Sequence, residues 1–247
     1  MSDKLKNKII IVTGGNGLLG SAIVEHIRQE GAFCINFEIN HKTNDDLSNV
    51  ECDITNKDSI DNALSLVLKK YKRIDGLVNN AYPRSDDWGN KFEDIKLDSW
   101  KQNLEWQLNS YFYLSQQVAN LMEKQNKGSI INMASIYGIV APDFSVYNET
   151  NLTTPAAYSA IKGGLINLTR YMASYFGAKQ IRVNAISPGG IYDNQNMTFV
   201  QNYEKRVPMG RMGSPDDISP AVIFLLSNDS KYITGQNIII DGGWTCI

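Results

Sequence analysis

Ile9-Ile10-Ile11-Val12-Thr13-Gly14-Gly15-Asn16-Gly17-Leu18-Leu19-Gly20 is the stretch whose reading decides the fold. Four β-branched apolar residues in a row suit a strand covered on both faces, as in a parallel sheet. The glycines that follow allow a tight turn and a close approach of backbone to a ligand. Leu18 to Glu30 then carries a helical pattern and meets Gly31, a good helix stop. Strand, glycine turn and helix in this order place unpaired N–H groups and the positive end of a helix dipole where a pyrophosphate can sit. A lone glycine motif is weak evidence, but its position between the first strand and the first helix strengthens it.

The same alternation continues along the chain. Short apolar runs at Lys8 to Thr13, Ala32 to Glu38, Val50 to Ile54, Gly76 to Asn80, Gly128 to Ala134, Ile181 to Ser187 and Asn237 to Asp241 read as strands. Amphipathic segments separate them: Ile60 to Tyr71, Trp100 to Lys124, Pro155 to Phe176 and Asp216 to Leu226. Thr154 is the expected N-cap of the third of these, with Pro155 at its first helical position. The prediction is an α/β fold: a single-domain, Rossmann-like doubly wound parallel sheet of about seven strands flanked by helices, spanning 1–247. No internal repeat or linker interrupts it.

Composition narrows the class. The chain has 247 residues, 24 Lys+Arg against 26 Asp+Glu, and 43% hydrophobic residues. A net charge of -2 argues against a protein that grips nucleic-acid phosphates. No apolar run approaches the roughly 20 residues needed to span a bilayer, and no signal-peptide core stands at the start. Cys34, Cys52 and Cys246 lack metal-type spacing, and His26 and His41 are the only histidines, so no metal site is expected. The expectation is a cytoplasmic protein with a small-molecule substrate, no nucleic-acid partner and no membrane partner.

Two candidate sites emerge. Glu38 ends the second strand, 18 positions after Gly20. A carboxylate there accepts hydrogen bonds from both adenosine ribose hydroxyls and repels a 2′-phosphate, which favours NAD over NADP. The bland alternative is a solvated strand-end Glu. Asp53 and Ile54 end the third strand and would flank the adenine, and Asn80-Ala81 ends the fourth on the same sheet edge. At the second site, Tyr158 and Lys162 stand at i and i+4 on one helix face. An ammonium near a phenol favours the phenolate, so the tyrosine can exchange a proton near neutral pH. Ser135, at the carboxyl end of the preceding strand, is placed to hydrogen-bond a carbonyl or alcohol oxygen.

These residues together resemble the classical short-chain dehydrogenase/reductase family. The likeness covers the glycine turn, Asn79-Asn80-Ala81, Ser135, the Tyr158–Lys162 pair, Arg182 through Gly189, Pro208-Met209-Gly210-Arg211 and Asp241-Gly242-Gly243. A weaker resemblance points to oxidoreductases of flagellin modification and nonulosonic-acid pathways. The family likeness implies Tyr158 as general acid/base, Lys162 as binder of the nicotinamide ribose and Ser135 as holder of the reacting oxygen. It also implies cofactor contacts from Gly14, Asn16, Gly17, Leu18, Leu19, Gly20, Pro188, Gly189 and Ile191, and assembly as a homo-tetramer or homo-dimer.

Several positions depart from the family pattern. A glycine falls at 17 where the family places one at 18, a spacing closer to the extended epimerases and dehydratases. Counting seven from Trp100 reaches Gln107 where an Asn is expected for the proton relay, with Asn103 and Asn109 as alternatives in another register. Tyr82 replaces a Gly, and Tyr192-Asp193-Asn194 replaces a Thr after Ile191. Ser135 and Tyr158 lie 23 positions apart, farther than the family usually sets them. The extra segment, around 142–152, is polar and aromatic. It is expected over the substrate side of the cleft, with a substrate loop around 189–213; the alternative is a tolerated surface insertion. Its Asn, Thr, Asp and Tyr groups suit a hydroxyl-rich, sugar-derived substrate. The leading expectation is an NAD-dependent alcohol/ketone oxidoreductase. The competitors are an NAD-using sugar epimerase or dehydratase and a non-catalytic nucleotide sensor on the same fold.

Overall fold

The computed structural model describes residues 3–247. Its strands are β1 Ile9–Thr13, β2 Phe33–Glu38, β3 Asn49–Glu51, β4 Gly76–Asn79, β5 Gly128–Met133, β6 Ile181–Pro188 and β7 Asn237–Ile240. They form one parallel sheet in the order β3-β2-β1-β4-β5-β6-β7. The helices are α1 Leu18–Gln29, α2 Lys57–Tyr71, α3 Leu97–Leu104, α4 Ser110–Gln125, α5 Ala156–Phe176, α6 Met197–Glu204 and α7 Pro215–Leu226.

The uninterrupted apolar runs are explained by two layers of cover. Ile9 and Ile11 pack with Val67 of α2, Leu114 of α4 and Leu165 of α5. Ile10 and Val12 point to the other face, against Ile23 and Ile27 of α1 and Val222 of α7. Side chains alternate across the sheet, so a strand buried on both sides needs apolar residues at every position. The chain spreads from β1 toward β3 on one side and from β4 toward β7 on the other. A crevice opens at the carboxyl ends where that direction reverses.

Four local differences from the sequence reading have physical causes. β3 stops at Glu51, short of Ile54, because Asp53 turns the chain: its Oδ1 accepts from the Thr55 N–H and hydroxyl at 2.8 and 2.7 Å. The α5 cap is Pro155 in place of Thr154, and the helix begins at Ala156. Pro155 keeps an extended ψ of 137°, and its carbonyl accepts the Tyr158 N–H. The helix expected over Trp100 to Lys124 is α3 and α4 joined through a π-helical turn at Glu105–Asn109. Helix α6 was not anticipated. It is eight residues long with only Val200 and Tyr203 buried, too short a pattern to stand out. Among the described residues, no helix is long and apolar enough to cross a membrane.

Candidate active site

A cleft of about 1000 Å³ runs along the carboxyl ends of the strands. One end is built from backbone. Gly14 has φ +66°, and a Cβ there would stand 2.8 Å from the Ala81 Cα. A Cβ on Gly20 would stand 2.1 Å from the Gly14 carbonyl, so helix α1 approaches the turn as closely as glycine permits. The Thr13 hydroxyl accepts the N–H groups of Asn80 and Ala81, both at 2.9 Å. The Asn80 amide donates to the Thr13 and Gly14 carbonyls at 3.0 and 3.1 Å. Asn80 therefore pins β4 to the glycine turn while also lining the cleft.

Gly17 caps α1 without a side-chain hydrogen bond, which leaves the first-turn N–H groups beside Leu18 and Leu19 for a ligand. Gly14, Gly17, Leu18 and Leu19 line the cleft. Asn16 and Gly20 instead shape the cradle from behind. The Asn16 N–H donates to the Glu38 carboxylate at 3.0 Å, and its side-chain oxygen accepts from Asn36. Buried Asn36, which the sequence reading passed over, also accepts the Gly15 N–H at 2.7 Å. Glu38, Asp53 and Ile54 line the same end, and Pro188, Gly189 and Ile191 line the middle. This donor set fits a dinucleotide: orphan amides for the diphosphate, a half-buried carboxylate for ribose hydroxyls and small residues where a ring must slide in.

The other end is built from side chains. Ser135 follows β5 and is buried, its hydroxyl accepting the Tyr137 N–H at 3.2 Å. Tyr158 and Lys162 project from α5 into the same cleft. The Lys162 ammonium donates to the Met133 carbonyl at 2.8 Å and lies 5.5–5.8 Å from the ring centres of Tyr82, Tyr111 and Tyr158. Burial pulls its pKa down to about 7. Burial also raises the Tyr158 phenol above its ordinary value, opposed by a hydrogen bond with Ser135. A nearby ammonium alone would lower the pKa of that phenol; in this cleft desolvation outweighs it.

The scaffold beneath these groups is polar and was not visible in the sequence. The Asn79 amide donates to Ser115 of α4 and to Asn132 of β5, both at 2.8 Å. Asn132 donates to Thr169 of α5 at 2.9 Å, and Thr169 donates back to the Leu165 carbonyl. This buried chain fixes α5, which carries Tyr158 and Lys162, against the sheet. Gln107 sits buried on the π-helical turn and donates to the Pro83 carbonyl at 2.8 Å. Asn103 is committed to Ser85 and Ser99, and Asn109 to Glu105. Of the three relay candidates, only Gln107 has a buried side-chain oxygen without a hydrogen-bond partner.

Tyr82 meets Tyr158 edge-on at 5.6 Å, and Trp88 meets both rings edge-on. The long segment before α5 does reach the cleft, but through Tyr147, Thr153 and Thr154. Its more polar residues turn elsewhere. Asp143 forms an ion pair with Arg206, and the Val146 and Asn148 carbonyls accept from Asn202 just outside the cleft. Tyr147 stacks on Phe199 of α6 at 5.3 Å. The segment is thus fastened to α6, and the surface it offers is more aromatic than expected.

Comparison with known proteins agrees with this fold. A family model described as enoyl-(acyl carrier protein) reductase matches residues 18–245. The chain belongs to the short-chain dehydrogenase/reductase family. It is 34% identical to post-translational flagellin modification protein A of Campylobacter coli, over 97% of this chain and 99% of that one. It is 33% identical to a 7alpha-hydroxysteroid dehydrogenase of Bacteroides fragilis, over 98% and 96%. A crystal structure of a short-chain dehydrogenase from Leptospira borgpetersenii with bound NAD+ superposes with a TM-score of 0.88 at 36% identity, covering 98% of this chain and 94% of that one. A short-chain dehydrogenase/reductase with this Rossmann-like sheet is an oxidoreductase that works with a nicotinamide cofactor on an alcohol or carbonyl group.

Proposed function

We propose that the protein is an NAD(H)-preferring oxidoreductase that interconverts a secondary alcohol and a ketone on a polar, sugar-derived substrate. The observation that carries this reading is one cleft with Glu38 and the glycine cradle at one end and Ser135, Tyr158 and Lys162 at the other. When bound, the nicotinamide dinucleotide supplies the hydride donor or acceptor. The chain itself handles the oxygen and its proton. Ser135 donates to the substrate oxygen and holds it beside the Tyr158 phenol. Tyr158 gives that oxygen a proton in reduction and takes one in oxidation. Lys162, when charged, lowers the cost of the phenolate and binds ribose hydroxyls with the donors that Met133 leaves free.

The preference for NAD rests on the Glu38 carboxylate, which disfavours a 2′-phosphate. The sugar-like substrate is supported by the hydroxyls of Tyr137, Tyr147, Thr153 and Thr154 beside flat aromatic faces, and by similarity to the Campylobacter coli flagellin modification protein. A homo-dimer or homo-tetramer is supported by the stacked, exposed Tyr171 and Tyr175 on α5 and the exposed Phe112 on α4. The test is a screen of sugars, sugar phosphates and sugar nucleotides for an NAD-linked absorbance change. Net formation or loss of NADH is expected. Product formation with no net change would favour the epimerase or dehydratase reading raised by the Gly14-x-x-Gly17-x-x-Gly20 spacing.

A further inference from the structure

Arg84 lines the substrate end of the cleft and has no ion-pair partner among the described residues. Its guanidinium lies over the Tyr82 ring, 5.8 Å from the centroid. That ring in turn meets Tyr158 at 5.6 Å, so two short contacts separate the cation from the phenol. The carboxylates of the cleft are placed elsewhere. Glu38 accepts from Asn16 and Ile39, Asp53 accepts from Thr55, and Asp193 stands on the loop after β6.

The backbone that presents Arg84 is held on both sides. Gln107 donates to the Pro83 carbonyl at 2.8 Å, and the Ser85 N–H donates to buried Asn103 at 3.1 Å. Ser85 also donates to Asp87 at 2.7 Å, and the Ser99 hydroxyl donates to the same carboxylate at 2.5 Å, so the nearby acid is already engaged with serines. A fixed backbone, a guanidinium spread on an aromatic face and no carboxylate partner make an open fork for an oxyanion.

We propose that Arg84 binds an anionic oxygen group of the substrate, a phosphate or a carboxylate, and so selects charged sugar derivatives over neutral ones. This rests on the oxidoreductase reading for where the substrate lies, but it is a statement about binding and is testable without turnover. The NAD+-saturated protein, whose own diphosphate cradle is then filled, is titrated calorimetrically with glucose 6-phosphate, gluconate and glucose. At least one anionic probe is expected to bind about ten-fold more tightly than glucose. Arg84→Gln is expected to abolish that advantage and Arg84→Lys to restore part of it, with circular dichroism and NAD+ affinity unchanged in both. The phosphate and carboxylate arms tell which anion is read. The proposal is overturned if neither anion binds better than glucose, or if Arg84→Gln leaves the anion advantage intact. Arg84-dependent anion binding without any NAD-linked turnover would break the redox reading alone. Turnover of sugar phosphates or sugar acids that is indifferent to Arg84→Gln would break this one alone.

Discussion

At the dinucleotide end of the cleft the surface is mostly backbone, and at the substrate end it is mostly aromatic side chains. The first is held by local hydrogen bonds among the segments at the ends of β1, β2 and β4: Asn80 donates to the Thr13 and Gly14 carbonyls, the Gly15 N–H to Asn36 and the Asn16 N–H to Glu38. The second draws Tyr82, Tyr137, Tyr147, Phe199 and Tyr203 from segments far apart in the chain. Tyr203 joins the halves by accepting the Gly190 N–H at 2.6 Å and stacking on Trp244 at 4.3 Å. A backbone cradle tolerates few substitutions, since any Cβ at Gly14 or Gly20 collides with main chain. An aromatic wall can be re-tiled while the fold stays intact. The difference teaches where family identity and individual specificity reside.

The contrast is broken most severely at the point where the two halves must cooperate. Tyr158→Phe keeps the ring and its contacts with Tyr82 and Trp88 but removes the proton carrier. The expected result is a fall in kcat of at least about 100-fold with the dissociation constant for NADH nearly unchanged, measured by stopped-flow absorbance and fluorescence titration. A Phe variant that turns over normally would remove Tyr158 from its acid/base role. A second large effect belongs to the cradle alone. Glu38→Ser should shift the NADH-to-NADPH affinity ratio toward NADPH by roughly 10- to 100-fold, because the repulsion of a nearby 2′-phosphate disappears. The ratio is read from parallel titrations. An unchanged ratio would show that Glu38 serves only to hold the Asn16 N–H.

The sequence made the cradle end legible because its determinants are local: a β-branched run, glycines at short spacing and a carboxylate at the end of the next strand. The seven strands were legible for the same reason, since two-sided burial shows as continuous hydrophobicity. The buried amide chain was not. Asn79 and Asn132 are register partners on β4 and β5, yet 53 positions apart, and nothing local marks either as more than a strand-end polar residue. Helix α6 and the aromatic wall were hidden likewise. Which ring of the 142–152 region faces the cleft depends on the Asp143–Arg206 and Tyr147–Phe199 contacts, and the partners lie in, or two residues beyond, a helix the periodicity does not reveal.

That fastening can be tested by loosening it. Tyr147→Ala removes the stack on Phe199, and aromatic pairs of this kind contribute about 0.5–1.5 kcal/mol beyond their buried area. With a substrate from the screen, KM should rise by up to about ten-fold while NADH affinity stays within a factor of about two. Asp143→Asn, which weakens the pair with exposed Arg206, should act in the same direction but less strongly, because half-exposed ion pairs contribute little. Equal effects on substrate and cofactor would mean that the segment supports the whole cleft and not its substrate end.

The smallest expected signal concerns Lys162, which belongs to both halves. With its pKa lowered to about 7 by burial, the Lys162 side chain is mostly the neutral amine at pH 8 in the free protein. Ribose hydroxyls accepting its remaining protons favour the charged form, so bound cofactor should raise that pKa. The sign follows by linkage. Between the free and the bound pKa, binding takes up a proton, and affinity falls as pH rises through that window above 7. Below pH 7 the lysine is charged in both states and the dependence flattens. Calorimetric titration of NADH at pH 8 in buffers of different ionisation enthalpy should therefore report uptake of a fraction of a proton, and Lys162→Met should erase it. Proton release, or uptake that survives in the Met variant, would place the charged lysine outside the cofactor contact and confine it to the substrate end.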